Sequence, residues 1–219
     1  MRNAGGCDMT GLLRSILCPL IGVVLACAAH AQPPTPDRSV VAELQKGGYV
    51  LFLRHFATNH EQQDTDPAHL DNIAAQRQLT DEGRKQAVAL GEALRALRIP
   101  IGRIVCSQLQ RARESATLLG VGTPEPTPDV TSTGATVPPE ENQRRADALR
   151  KLLSTAPAAG KNTLIVSHAP NLQDAAGKEF SDIGEGEVVV FQPADGKYRV
   201  VARVFPPAQW TQWTKSPGP

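Results

Sequence analysis

Two short segments far apart in the chain each run as a β-like apolar stretch into a histidine, Tyr49-Val-Leu-Phe-Leu-Arg54-His55 and Thr163-Leu-Ile-Val-Ser167-His168. In an open α/β sheet, ligands bind outside the carboxyl ends of the strands. Residues that directly follow two parallel strands therefore converge in one crevice despite their separation in sequence. The first strand end narrows the ligand. Arg54 offers a planar fork of N–H donors matched to phosphate oxygens, and a neutral ring nitrogen of His55 is a nucleophile able to carry a phosphoryl group transiently. A single histidine closing a buried strand is often only a hydrogen-bonded boundary residue. Two such strand ends, together with a third basic segment, are harder to explain that way.

The third segment is Ile104-Val-Cys106-Ser107-Gln-Leu109-Gln-Arg111-Ala112-Arg113-Glu-Ser115-Ala116. A short β-branched run passes into a stretch with Leu109, Ala112, Ala116 and Leu119 at helical spacing, which predicts Arg111 in the first turn of a helix that starts at a strand's carboxyl end. The unpaired N–H groups and positive dipole of such a turn favour an anion and disfavour a cation. Arg111 is therefore expected to grip an anion, whereas Arg113 is expected at the surface.

These segments resemble the signatures of the histidine phosphatase superfamily, the group that includes cofactor-dependent phosphoglycerate mutase. The family's Arg-His-Gly, followed two residues later by Ser or Thr, stands here as Arg54-His55-Phe56-Ala57-Thr58, and its Ser-x-Leu-x-Arg-Ala-x-x-Thr-Ala as Ser107-Gln-Leu109-Gln-Arg111-Ala112-Arg-Glu-Ser115-Ala116. The third signature stands as Ser167-His168-Ala169-Pro170, and Leu79-Thr80-Asp81-Glu82-Gly83-Arg84-Lys85-Gln86-Ala87 resembles the family's helix start between the first two. The resemblance implies a phosphoglycerate mutase-like fold and a histidine acid phosphatase-type hydrolase acting through a phosphohistidine at His55. Arg54, Arg111, His168 and Thr58 are then expected to hold the phosphoryl group, with no metal or other cofactor. A nucleophilic His55 must be neutral while His168 serves as donor or cation, and opposed protonation needs predict a bell-shaped rate profile.

The chain departs from the family pattern at Phe56, which stands in place of glycine. A Cβ and ring are costly there if the backbone must approach phosphate closely or adopt positive φ; otherwise the ring is expected to wall the pocket. The general acid is the second open position. Glu140 and Glu141, at the start of a predicted helix running to Leu153, are the positional candidates, although acidic residues in a first turn commonly complement the helix dipole. Asp64, Asp66 and Asp174 are the alternatives, while Ser107, Asn59 and His60 are expected near the entrance, with His60 and His69 facing water. Two rival functions remain: a non-catalytic phosphate-binding member of the fold, and a phosphomutase that retains the phosphoryl group and returns it to product.

Length and charge restrict the alternatives. With 219 residues, of which 41 % are hydrophobic, the chain can bury one α/β core of ordinary size. Lys and Arg number 23 against 22 Asp and Glu, and aromatic residues make up 4 %, so there is neither a basic surplus nor a set of stacking platforms for nucleic acid. A small phosphorylated substrate is the expected partner; the sequence does not fix oligomeric state. Residues 1–31 read as a signal peptide ahead of a catalytic domain over 32–219. Arg2 and Arg14 precede the apolar residues 15–28, too short for a confident membrane span, and Ala29-His30-Ala31 has the small-x-small form of a cleavage site. Export to the periplasm or beyond follows, with lipid modification at Cys27 as the minor alternative. After simple cleavage Cys106 is the one cysteine left, so no intramolecular disulfide is expected.

The coarse reading gives a short helix over 40–45, the first strand, and a polar loop over 58–78 above the site. Next come a helix capped by Thr80 and stopped by Pro100, the 104 strand, the Arg111 helix, and a Pro/Thr/Gly-rich connection over 120–139 without assigned structure. The chain closes with the Glu140 helix, the 163 strand, a short helix over 171–176, and a hairpin of 187–192 and 198–204 turned at Asp195-Gly196. Alternating strands and helices predict a three-layer α/β fold, a mainly parallel sheet with helices on both faces. Trp210 and Trp213 are expected to anchor the C-terminus. Substrate choice is expected to reside in the 59–78 loop, the 123–141 connection and the segment after His168.

Overall fold

A computed structural model of the chain describes residues 37–132 and 137–215, so the expected leader and Cys7, Cys18 and Cys27 lie outside the described residues. Six strands form one sheet in the order β3-β2-β4-β1-β5-β6. β1 (Val50–Arg54), β2 (Ile101–Ser107), β3 (Pro124–Thr127) and β4 (Asn162–Ser167) are mutually parallel, and β5 (Val188–Ala194) and β6 (Lys197–Val204) add an antiparallel hairpin at one edge. The hairpin turns at Asp195 and Gly196, φ 49° and 72°, as expected for a two-residue loop whose central positions both need positive φ.

Strand alternation divides the core into two layers. Leu51, Leu53, Ile104, Cys106, Leu164, Val166, Val188 and Val190 face one side, where they pack with α1 (Ser39–Lys46), α2 (Asp81–Ala96), α3 (Gln110–Leu118) and α6 (Ala208–Lys215). Val50, Phe52, Val105, Ile165, Val189 and Phe191 face the other, under α4 (Pro139–Ser154) and α5 (Ala169–Ala176). Trp210 and Trp213 of α6 are buried in the first layer, edge to face at 5.2 Å, and do anchor the C-terminal segment.

Helix boundaries follow local chemistry. Thr80 Oγ1 accepts the Gly83 N–H at 3.0 Å and caps α2, whose first turn carries Asp81 and Glu82. The helix stops earlier than Pro100 would dictate, because Arg98 adopts φ 55° and the Ile99 N–H folds back to Leu94 O. Gly91 sets the contact between α2 and α3: a Cβ there would lie 1.8 Å from Leu119 O. The connection over 120–139 holds more structure than its composition suggests, since β3 pairs Pro124 and Pro126 with Ile104 and Cys106. Prolines cannot donate to a ladder, which is tolerated at this sheet edge and hides the strand from propensity reasoning.

Asn162, fully buried at the start of β4, ties three elements together. Its Oδ1 accepts the Tyr49 N–H at 3.1 Å, and its Nδ2 donates to Leu44 O at 2.8 Å and Pro100 O at 3.1 Å. Asn162→Leu keeps the volume and strands the Tyr49 amide, while the Leu44 carbonyl keeps the Gly47 N–H. We expect a loss of about 1–3 kcal/mol in urea unfolding with an unchanged m-value; a loss below about 0.5 kcal/mol would show that the Tyr49 amide finds another partner.

Candidate active site

Arg54 of β1 pairs in register with Ser167 of β4, and the His55 N–H continues the ladder to Ser167 O at 3.0 Å. His55 and His168 therefore leave neighbouring strands side by side, with ring centroids 5.2 Å apart. The helix after β1 covers one face of the sheet and the helix after β4 covers the other, which opens a crevice between these two strand ends. A cleft of about 350 Å³ lies there, lined by Arg54, His55, Arg111 and His168 together with Asp64, Arg77 and five smaller or neutral residues.

His55 is 2 % exposed and His168 3 %. His55 Nδ1 lies 2.9 Å from Phe56 O, and a carbonyl can only accept, so the proton sits on Nδ1 and the lone pair on Nε2. His168 is pinned through Nε2 by Ser107 Oγ at 2.8 Å, an oxygen that also accepts the Leu109 N–H. Ser107 is thus a buried support of His168 and not an entrance residue. Burial first, and then Arg111, Arg54 and Arg77, hold both imidazoles well below 6.5, with His55 also acting on His168. Of the two roles expected of His168, donor or cation, burial and these neighbouring charges favour the neutral donor.

Arg111 sits in the first turn of α3, as its segment predicts, and is 5 % exposed. Its Nη1 donates to Asp64 Oδ1 at 3.0 Å. Arg113 faces solvent. The Arg54 Nη1 donates to Ile183 O at 2.6 Å. In Arg54, Arg77 and Arg111 the Nε is buried without a protein hydrogen-bond partner, so three guanidinium N–H donors at this site remain for an anion.

The segment after His55 is clamped from two directions. Phe56 N donates to Ser115 Oγ at 3.2 Å, and Ser115 in turn donates to Arg111 O, which ties the neighbour of His55 to the helix that carries Arg111. Ala57 O accepts the Thr80 N–H at 2.9 Å, and a Cβ at Gly83 would lie 2.2 Å from that same oxygen. The Leu-Thr-x-x-Gly segment is therefore a seat for the 56–58 backbone. Phe56 itself does not have positive φ and does not wall the cleft; its ring is fully buried in the first core layer.

The loop over 58–78 is closed by a Thr58–Leu79 bridge, and Gln76 Oε1 accepts the N–H of Gln110 at 2.7 Å, docking the loop on the start of α3. It brings Gln63, Asp64, Pro67 and Arg77 into the cleft, while Ser132 comes from the 123–141 connection and Ala169 and Pro170 from the segment after His168. Thr58 does not line the cleft. Its hydroxyl donates to Glu185 Oε1 at 2.7 Å and its amide to Oε2 at 3.2 Å. His60 and His69 are exposed, the latter paired with Asp66 at 2.7 Å.

The two acid candidates on α4 are not brought to the site. Glu141 pairs with Arg144 and Arg145, which hold its carboxyl down at about 2, so it carries no proton to give near neutral pH. Glu140 is exposed and does not line the cleft. Asp64 is the only carboxylate among the lining residues. Arg77 and Glu185 were not singled out in the sequence: the first is one polar residue in a polar loop, and the second lies in a Gly-Glu-Gly-Glu run outside every signature. Among the described residues no group of three or more His, Cys, Asp and Glu side chains is gathered to hold a metal ion. No helix among them is long and apolar enough to cross a membrane.

Residues 50–132 match the family model of the histidine phosphatase superfamily (branch 1). In that stretch the chain is similar to this superfamily. The matched stretch contains the first two signatures and stops before His168, which the β1–β4 pairing brings to them. Solved structures share the fold: the protein histidine phosphatase SixA in complex with tungstate is 16 % identical, with TM-score 0.54 over 74 % of this chain and 98 % of its own. The mycobacterial glucosyl-3-phosphoglycerate phosphatase in complex with inorganic phosphate is 18 % identical, with TM-score 0.50 over 70 % of this chain and 95 % of its own. A phosphoserine phosphatase from Entamoeba histolytica is 14 % identical, with TM-score 0.50 over 71 % and 95 %. No curated protein sequence matches the chain.

The geometry predicts how the histidines titrate. By nitrogen NMR, His55 and His168 should both remain neutral at pH 6, with the proton of His55 on Nδ1, whereas the exposed His69 beside Asp66 should titrate above 6.5. The unfolded chain takes up protons on both buried imidazoles near pH ~6.5 and the folded chain does not, so stability should fall as the pH drops below that value. A His55 or His168 that protonates at or above 6.5 in the free protein would contradict this account.

Proposed function

We propose that the chain is a phosphomonoesterase that hydrolyses a small phosphorylated substrate through a phosphohistidine at His55. The observation that carries this reading is the hydrogen bond from His55 Nδ1–H to Phe56 O, because it leaves the lone pair on Nε2 in a ring that lines the cleft beside Arg54, Arg111 and His168. In the first step Nε2 attacks phosphorus, the N–P bond forms, and the ester P–O bond breaks with its electron pair on the alcohol oxygen. The guanidiniums and the second imidazole are fixed donors for charge on the phosphoryl oxygens, where catalysis of phosphoryl transfer is mostly located.

Asp64 is the proposed acid. A phosphoryl group that takes Arg111 Nη1 from Asp64 places two anions together, and their repulsion favours the protonated carboxyl. That proton goes to the leaving oxygen. In the second step water attacks the phosphohistidine and gives a proton back to Asp64, the N–P electron pair returns to Nε2, and inorganic phosphate leaves. Phe56 leaves the cleft open, which removes the main argument for a site that binds without turnover. The arginines and apolar stretch of residues 1–31 support export of the enzyme to the periplasm or beyond.

Purified protein given an aryl phosphate and an alkyl phosphate should release phosphate from both, and His55→Ala should lower both rates by about 10³-fold or more. Asp64→Asn should cost ~10²–10⁴-fold on the alkyl ester, whose leaving oxygen needs a proton, and far less on the aryl ester. Wild-type turnover in His55→Ala would sink the mechanism, and equal losses on the two esters would remove Asp64 from the acid role.

A further inference from the structure

We propose that Glu185 is a positioning residue for His55: its carboxylate, built into a turn at the end of β1, steadies the nucleophilic ring and offsets the positive charge the ring gains when phosphorus is transferred to it. The inference rests on the phosphohistidine reading above. Glu185 Oε1 lies 3.9 Å from His55 Nδ1, 3.5 Å from Arg54 Nη2 and 2.7 Å from the Thr58 hydroxyl, and Oε2 lies 3.4 Å from His60 Nε2. The side chain is 13 % exposed.

The turn that aims this carboxylate is tied to the nucleophile's own strand. Gly186 N donates to both Arg54 O and His55 O at 3.0 Å, and Arg54 N donates to Glu187 O at 3.1 Å. Glu187 closes the turn by accepting the Gly184 N–H at 2.8 Å and is itself held by Arg203. Gly186 has φ +79°, and a Cβ on it would lie 2.9 Å from the Phe56 ring and 2.5 Å from Pro207. Glycine is thus required beside Glu185, and the carboxylate has little freedom to turn elsewhere.

The charged and titratable groups around the His55 ring are Arg54 from β1, Arg111 from α3, Arg77 from the 58–78 loop, His168 from the end of β4, and Glu185. Four of the five are cations or a neutral imidazole, so Glu185 is the anion that faces Nδ1. When Nε2 bonds to phosphorus and the ester oxygen leaves with its electron pair and the proton from Asp64, Nδ1 keeps its proton and the ring becomes cationic. A carboxylate at this distance favours that form.

The test is a nitrogen NMR titration of His55 in wild type, Glu185→Gln and Glu185→Ala, with saturating inorganic phosphate to bring the ring into the accessible range. Glutamine keeps an oxygen acceptor for Thr58, and urea midpoints show which variants fold. His55 should titrate about one to three units lower in the variants, and kcat/KM on an aryl phosphate should fall about 10-fold or more. A lowered rate with an unmoved titration would make Glu185 a mere structural tether and overturn the proposal, as would an unmoved rate and titration together. If wild type turns over no phosphomonoester, the phosphohistidine reading fails, while the titration still decides whether Glu185 acts on His55.

Discussion

The parallel register between β1 and β4, with Arg54 opposite Ser167, is the constraint on which the site depends. It fixes the separation of the two histidines to that of neighbouring strands, and the helices that follow them leave to opposite faces, so the strand ends open into a crevice rather than being covered. Each remaining element then acts on that crevice. The α3 helix presents Arg111 from its first turn, the α2 start seats the 56–58 backbone through Thr80 and Gly83, and Asn162 holds the far end of the β1–β4 pair to α1 and to the α2–β2 connection. Shifting β1 by one residue against β4 would send Leu51 and Leu53 to the wrong core layer as well as separating the histidines, so the same packing that stabilises the sheet enforces the site.

Crowding three guanidiniums beside two buried imidazoles is unfavourable in itself, and the sequence answers it with two carboxylates in different roles. Asp64 pairs with Arg111 across the cleft on a loop, where an incoming anion can replace it. Glu185 sits behind Arg54 and His55, where Thr58 holds it by both amide and hydroxyl. The first is exchangeable and the second is built in. The neutral state of both histidines follows from the same crowding, since burial and the arginines act in one direction.

Much of this was legible in the sequence because its signals are local. An apolar run ending in Arg-His, a helix start carrying Arg111, Thr80 as a cap, and Asp195-Gly196 as a hairpin turn each depend on residues within a few positions of one another, and each is where it was expected. What escaped depends on contacts distant in sequence. Glu185 reaches Thr58 across 127 positions, Ser107 finds His168 across 61, and β3 becomes a strand only because β2 offers it an edge. Glu140 and Glu141 show the converse: their placement at a helix start was legible, but Arg144 and Arg145 capture Glu141, and the carboxylate that lines the cleft is the loop residue Asp64.

The substitution of Phe56 for the family's glycine is understood only through a second glycine. Phe56 keeps ordinary φ, donates its N–H to Ser115 and offers its carbonyl to His55 Nδ1, so its backbone performs the positioning and the side chain is free to be placed elsewhere. The ring enters the core against Gly186, whose missing Cβ provides the space and whose positive φ turns the chain so that Glu185 faces His55. A large residue after the histidine and a small one in the distant turn are therefore a matched pair. A glycine at 56 would leave a cavity above Gly186 and loosen the turn that holds the carboxylate, which makes Phe56 part of the support for His55 despite having no atom in the cleft lining.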